Sequence, residues 1–184
     1  ITPVYYYAGT SNPFTGETKA GSYNVTVKFV SASGNYTAPA DMDAVLTITP
    51  KAIADTNVSN IDGEYVYNGE AHKPVPAVAV VLGDDGAATS LAKDRDYTVE
   101  YSTEDYTAGT QVDVTITGIG NYTGVVTVSF TIKKATLGVE FDGLDKRFVY
   151  NGNVQGVTAV FTGVAESDKA TVVPTIVYLS LIHI

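Results

Sequence analysis

Val126-Thr127-Val128-Ser129-Phe130-Thr131-Ile132 decides the fold class, because apolar and hydroxyl-bearing side chains alternate one for one along it. Successive side chains of a strand point to opposite faces, so this stretch carries a core face and a solvent face of Thr and Ser. Working back along the chain, Val112, Val114 and Ile116 alternate with Asp113, Thr115 and Thr117, and Tyr97, Val99 and Tyr101 alternate with Thr98 and Glu100. Between two of these strands, Gly118-Ile119-Gly120-Asn121 reads as a hairpin connection whose glycines and Asn suit positive φ. Pro76-Ala77-Val78-Ala79-Val80-Val81-Leu82 is a continuous apolar run of strand length, ended by the turn signal Gly83-Asp84-Asp85-Gly86, and reads as a buried strand.

The composition agrees with that reading. Of 184 residues 45% are hydrophobic, enough for a packed core, and the vocabulary is Val, Ile, Tyr, Ala and Thr with a single Met and no Trp. Eleven basic against twenty acidic residues give a net charge of −9, which repels a phosphate backbone and an anionic membrane surface, so nucleic acid is not an expected partner. No apolar run reaches the length of a membrane helix, so no membrane insertion is expected, and residues 1–20 lack the order of a signal peptide. The chain has no cysteine, which removes disulfides, thiol nucleophiles and thiolate metal sites together.

Comparing the chain with itself reveals a period. Leu46-Thr47-Ile48-Thr49-Pro50-Lys51-Ala52 returns as Phe130-Thr131-Ile132-Lys133-Lys134-Ala135, which places Lys51-Ala52 and Lys134-Ala135 83 positions apart, and Val66-Tyr67-Asn68-Gly69 returns as Val149-Tyr150-Asn151-Gly152, again 83 apart. Gly34-Asn35-Tyr36-Thr37 returns as Gly120-Asn121-Tyr122-Thr123, each preceded by an Ala-Gly pair, Ala20-Gly21 and Ala108-Gly109. The last offset is 86, and the difference falls in surface-like stretches such as Ser31-Ala32-Ser33 and Ala38-Pro39-Ala40-Asp41, where length changes cost little loop-closure entropy. Residues 1–50 then read as the back half of one repeat, 51–134 as a complete repeat, and 135–180 as the front half of a third. On this reading the chain starts and stops inside a domain and is expected to be part of a larger protein. Residues 181–184, the end of the run Leu-Ser-Leu-Ile-His-Ile, break the polar alternation and are expected to be a non-native tail.

Strands every 10 to 15 residues and no helical period favour an all-β chain of tandem antiparallel β-sandwich, immunoglobulin-like repeats. The alternative is a β-grasp-like repeat with one short helix, for which Ala87 to Lys93 is the only candidate segment. The ordered set of motifs, namely Tyr-Asn-Gly near the start, Asp96-Tyr97-Thr98-Val99 in the middle, then Ala-Gly, Gly-Asn-Tyr-Thr-Gly and Phe-Thr-Ile-Lys-Lys, resembles the MBG-type repeats of large secreted and cell-surface bacterial proteins. That resemblance spans nearly all of residues 1–180, implies tandem arrays in adhesin-like extracellular proteins, and carries no catalytic motif onto any residue here. The third copy, with Phe161-Thr162-Gly163 and Asp168, looks like a related subtype.

Chemistry-bearing residues are few. Two histidines, His72 and His183, do not make a triad or a histidine metal site, and the acidic pairs Asp41 with Asp43, Asp84 with Asp85, Asp94 with Asp96 and Glu104 with Asp105 all fall in turn-like sequence, so no enzymatic activity is expected. Calcium is the one metal with a candidate set, Asp84, Asp85, Asp94 and Asp96, since hard cations take clustered carboxylate oxygens, although no DxDxDG loop is present. Thirteen tyrosines raise glycan stacking, with Tyr65 and Tyr67 and the run Tyr5-Tyr6-Tyr7 as candidates, against ordinary core and sheet-edge packing. The four Asn-x-Ser/Thr sequons at Asn24, Asn35, Asn57 and Asn121 read as turn residues and chance rather than glycosylation sites.

Three roles remain: a spacer or stalk whose partners are the neighbouring repeats of the same chain, a weak multivalent module for host glycan or mucin, and an accessory region of an extracellular polysaccharide-degrading enzyme. The spacer is the leading expectation, at a bacterial cell surface or in a secreted protein.

Overall fold

The computed structural model describes residues 1–177; the expected non-native tail, residues 181–184, and His183 lie outside the described residues. Fourteen strands follow in order: β1 Thr2–Tyr7, β2 Gly21–Val30, β3 Met42–Ile48, β4 Lys51–Ala52, β5 Val58–Ser59, β6 Glu64–Val66, β7 Ala77–Val81, β8 Ala88–Ser90, β9 Tyr97–Tyr101, β10 Gln111–Gly118, β11 Tyr122–Thr123, β12 Val125–Lys133, β13 Gly138–Asp142 and β14 Thr158–Thr162. The only helical pieces among the described residues are single 3-10 turns, Asp55–Asn57 and Glu166–Asp168. The protein is all-β, with several antiparallel strand pairs.

Ala87 to Lys93, the candidate helix of the β-grasp alternative, is not helical. Ala88–Ser90 is strand β8, paired antiparallel with β7 in the register Val81 to Ala88, Val80 to Thr89 and Ala79 to Ser90. The chain turns over Leu82 to Ala87, around Gly83 to Gly86, so the segment completes a hairpin on the apolar strand before it.

The strands group into five small sheets: β1-β2-β3, β6-β12-β10-β9, β11-β4, β13-β14 and β5-β7-β8. By contacts the chain divides into two units. One holds Ile1–Asn60, Val75–Glu100 and Val114–Val128; the other holds Ile61–Pro74, Tyr101–Asp113 and the chain from Ser129 on. Strands β9, β10 and β12 each start in one unit and end in the other.

Within the first unit, the alternation read from sequence becomes a core. Val78 and Val80 on β7, Tyr97 on β9, Val114 and Ile116 on β10, and Val126 on β12 are all buried, joined by Ile53 and Leu91. Each such side chain removed from water contributes roughly 1.5–3 kcal/mol. Tyr97 brings a hydroxyl into this core and satisfies it on the Pro76 carbonyl at 2.8 Å; burial pushes the phenol up from its ordinary value. The same unit contains β1-β2-β3, whose register places Tyr5, Tyr7, Val25, Val27, Ala44, Met42 and Leu46 on one face and Tyr6, Thr26, Lys28 and Asp43 on the other.

Within the second unit, Val112, Phe130 and Ile132 are buried. The short β6 runs parallel to the end of β12, Glu64 to Val66 against Thr131 to Lys133, and Tyr65 packs edge-on against Phe130 with ring centres 4.9 Å apart. Tyr101 donates its hydroxyl to the Pro74 carbonyl at 2.7 Å. The hairpin of β13 and β14 pairs Val139 with Phe161 and Phe141 with Ala159, which puts these four on one face and Glu140 and Asp142 on the other.

Candidate functional site

Of the four aspartates considered for calcium, Asp84 sits exposed in the turn after β7, and Asp85, Asp94 and Asp96 do separate work. In the turn after β7, Asp85 Oδ1 accepts the Ala87 N–H at 3.0 Å. Asp94 adopts a left-handed conformation at φ 65°, with its backbone N–H bonded to the Tyr97 carbonyl and its carboxylate 3.8 Å from Lys93 Nζ. Asp96 caps the same turn: Oδ2 accepts the Ala92 N–H at 2.8 Å, and both oxygens receive the Arg95 guanidinium, at 3.1 and 2.7 Å. The Arg95 bond and then the Ala92 N–H hold the Asp96 carboxyl below the usual carboxylate range. Among the described residues no group of three or more His, Asp or Glu side chains converges in a way that holds a metal ion.

The tyrosines considered for glycan stacking are engaged with protein. Tyr65 lies between Phe130 and His72, whose ring centre is 5.2 Å away, and its hydroxyl accepts the Asp62 N–H at 3.2 Å. Tyr67 stacks on Tyr106 with ring centres 6.0 Å apart and donates its hydroxyl to Asp168 Oδ2 at 2.7 Å. That carboxylate, which also receives the Ser167 hydroxyl at 3.0 Å, pushes the Tyr67 phenol up from its ordinary value. Of the Tyr5-Tyr6-Tyr7 run, Tyr7 bonds Glu17 and meets Phe14 edge-on, Tyr6 lies under Lys28 Nζ at 5.5 Å, and only Tyr5, 46% exposed, presents an open ring.

The residues that tie distant stretches of sequence together lie in two clusters. At the first, Asn121 takes the Ala20 N–H on Oδ1 at 2.8 Å while its carbonyl accepts the Lys51 N–H at 2.9 Å. Lys51–Ala52 runs parallel to Tyr122–Thr123, and a cavity of about 330 Å³ is lined by residues including Ala20, Lys51, Leu82 and Asn121. The positive φ of this turn falls on Gly120, at 65°, not on Asn121, whose side chain is used as an acceptor instead. Gly118 is required by proximity: a Cβ there would sit 2.8 Å from the Thr123 nitrogen.

At the second cluster, Tyr67 and Gly69 meet the turn Ala165 to Asp168. Gly69 has φ of 87°, and a Cβ on it would lie 2.7 Å from Ser167 Oγ and 2.9 Å from Ala165 Cβ, so conformation and space both demand glycine. A cavity of about 230 Å³ here is lined by residues including Tyr67, Ala108, Lys134, Gly163 and Asp168. Sequence reading singled out Tyr67, the Ala-Gly pairs and the Lys-Ala pairs, but not that they belong together. The clue was that Tyr-Asn-Gly, Ala-Gly and Lys-Ala are the very segments that recur.

No family model, no curated protein and no solved structure matches the chain. No helix among the described residues is long and apolar enough to cross a membrane.

Proposed function

We propose that the chain consists of tandem immunoglobulin-like β-sandwich repeats related to the MBG type, and that it acts as a non-catalytic spacer in a large bacterial cell-surface or secreted adhesin-like protein. The observation that carries this reading is that corresponding residues line two cavities, which the reading takes as the junctions between repeats. One cavity is lined by residues including Ala20, Lys51 and Leu82, the other by residues including Ala108, Lys134 and Gly163. Ala20 and Ala108 open the two Ala-Gly pairs, Lys51 and Lys134 precede the two recurring alanines, and Leu82 and Gly163 are the first residues after β7 and β14. The strand orders β1-β2-β3 and β9-β10-β12 also correspond, as do the antiparallel pairs β5-β7 and β13-β14. Proteins that carry repeated domains with a repeated junction keep the spacing and orientation of successive domains regular, which is what a spacer needs.

The strand directions support the same role. Within residues 51–134 the first strands, β4 and β6, run parallel to the last, β11 and β12. Tension applied from both ends drags parallel neighbours past each other, so their hydrogen bonds are loaded together in shear instead of opening one at a time. Resistance to force is governed by the unfolding rate, and a shear-loaded pair of this kind raises that barrier.

Pulling the 184-residue chain by its ends in a single-molecule instrument tests the proposal. The expected trace has one dominant step that releases the 84 residues from 51 to 134, a contour of roughly 280–300 Å at about 3.3–3.6 Å per residue. Gradual extension without a discrete step overturns the spacer reading. So does reproducible binding of the folded chain to a glycan or mucin array in monomeric and multivalent display.

A further inference from the structure

Among the described residues, one ring contact joins two tyrosines, and it lies beside a carboxylate. Tyr67 and Tyr106 stack with ring centres 6.0 Å apart and planes 30° from parallel, and the Tyr67 hydroxyl donates to Asp168 Oδ2 at 2.7 Å. All three side chains stand on held backbone. The Tyr67 N–H bonds the Lys133 carbonyl at the end of β12 at 2.8 Å. Tyr106 sits in the loop from β9 to β10, where Asp105 accepts the Thr107 N–H at 2.8 Å and the Thr110 hydroxyl at 3.3 Å, and where the Gly109 N–H bonds the Ile132 carbonyl at 2.7 Å. Asp168 closes the turn Glu166–Asp168 with its N–H on the Ala165 carbonyl at 3.0 Å.

A phenol is oxidised by losing an electron and its proton, and a carboxylate within hydrogen-bond reach takes the proton as the electron leaves. Tyr67 has that acceptor, and Tyr106, 38% exposed, is the ring that an oxidant in solution reaches. Two oxidised rings already stacked couple within the molecule, because their proximity and orientation are set in advance. We infer that Tyr67 and Tyr106 form a dityrosine cross-link under a peroxide-driven one-electron oxidant, with Asp168 as the proton acceptor for Tyr67. Each phenol gives one electron to the oxidant, that of Tyr67 by way of the stacked Tyr106 ring. The hydroxyl protons go from Tyr67 to Asp168 and from Tyr106 to water. A carbon–carbon bond then forms between ring carbons ortho to the two oxygens, and the hydrogens on those carbons move to the oxygens and restore both phenols. The two electrons and two protons released reduce one hydrogen peroxide to two waters. The new bond closes the chain from residue 67 to residue 106 into a covalent loop, which restricts the unfolded chain. Tyr7 supplies the contrast: its hydroxyl bonds the Glu17 carboxylate, but the ring it meets edge-on is Phe14, which has no hydroxyl to oxidise.

Treating the whole chain at high dilution with hydrogen peroxide and a haem peroxidase, then reading dityrosine fluorescence and peptide masses, tests this directly. The wild type is expected to give a monomer that has lost two hydrogen atoms, with the peptides carrying Tyr67 and Tyr106 joined. Tyr67→Phe and Tyr106→Phe are each expected to lose that product, and Tyr7→Phe is expected to keep it. Asp168→Asn retains an acceptor oxygen but not the base, and is expected to slow formation roughly tenfold or more. Hydrogen exchange at Ile116 and Val126 verifies that each variant keeps its folded centre.

Oxidation that leaves the two tyrosines unlinked overturns the inference, as does a Tyr106 that joins another tyrosine equally well, or a wild-type rate in Asp168→Asn. Any of these results leaves the spacer reading untouched, since only two rings and a carboxylate are involved.

Discussion

The pairs β5-β7 and β13-β14 follow from similar sequence and meet different surroundings. Both are antiparallel, with Val58 opposite Val78 in one and Phe141 opposite Ala159 in the other. Yet eleven of the twelve buried hydrophobic residues lie between 51 and 134, and none lies between 135 and 177. Conversely, eleven large hydrophobic side chains are exposed in residues 135–177 against six in the longer stretch 51–134. Local pattern is therefore enough to form and register a hairpin, while burial waits for the strands that in residues 51–134 come later, β9, β10 and β12. The Tyr-Asn-Gly motif makes the same point. Asn68 and Asn151 each accept the N–H two residues on at 3.0 Å, and Gly69 and Gly152 share positive φ, but Tyr67 is held by Asp168 while Tyr150 is 91% exposed.

The largest expected contrast is between two phenylalanines. Phe130, 1% exposed, is expected to cost about 3–5 kcal/mol when replaced by Ala, whereas Phe141, 49% exposed, is expected to cost about 1 kcal/mol or less. Urea denaturation followed by hydrogen exchange at the Ile116 amide measures both. Equal losses would break the comparison, because they would mean that β13 contributes to the same core.

Next come the paired glycines. Gly69→Ala forces a left-handed alanine and drives its Cβ onto Ser167 and Ala165, for an expected loss of roughly 2–4 kcal/mol. Gly152→Ala carries the conformational strain alone, since nothing lies within 4 Å, and is expected to lose about 1 kcal/mol. The same urea series, read at the Val172 amide for the first variant and at the Gln155 amide for the second, separates them.

A smaller effect is expected at the tyrosine hydroxyls. Tyr67→Phe removes the bond to Asp168 and is expected to speed exchange at Thr171 and Val172, while Tyr150→Phe leaves exchange unchanged. The Tyr67 phenol is raised in the folded state, so its contribution is complete below the ordinary tyrosine value of about 10 and is lost as pH rises through the folded value. Ultraviolet titration of wild type against Tyr67→Phe is expected to show that the missing phenol is one that ionises late.

How much of this was legible in the sequence depends on whether the signal was periodic or relational. Strands β7, β10 and β12 are read directly from Val78, Val114 and Phe130, because alternation and apolar runs are local. The Ala88–Ser90 strand, named only as the candidate helix of the alternative fold, was not legible because three short residues carry no period of either kind, and what makes them a strand is the partner β7. The aspartates were grouped by proximity in sequence, but Asp85 bonds the Ala87 N–H in one turn and Asp96 the Ala92 N–H and Arg95 in another. Asn121 was read as a backbone choice, and its use as acceptor for Ala20, 101 residues away, has no local trace.

The finest test of the contrast lies in two aspartates that are both held below the usual carboxylate range. Asp96 is lowered by Arg95 and the Ala92 N–H, and Asp142 by Lys146 and the Gly143 N–H. For both, the folded-state value is depressed, so the contribution is present above the unfolded value of about 3.9 and is lost as pH falls through the folded one. Their settings decide how much is lost. The Asp96 side chain is 13% exposed and fixes a turn at the start of β9, whereas Asp142 is 72% exposed and its lysine is 60% exposed, so solvent screens that pair. Asp96→Asn is therefore expected to lower stability at neutral pH and to flatten the decline below the unfolded value of about 3.9, while Asp142→Asn changes neither. If Asp142→Asn alone flattened the acid decline, the hairpin of β13 and β14 would be stabilised within a buried environment after all, and the difference between the two strand pairs would have to come from something other than which one is covered.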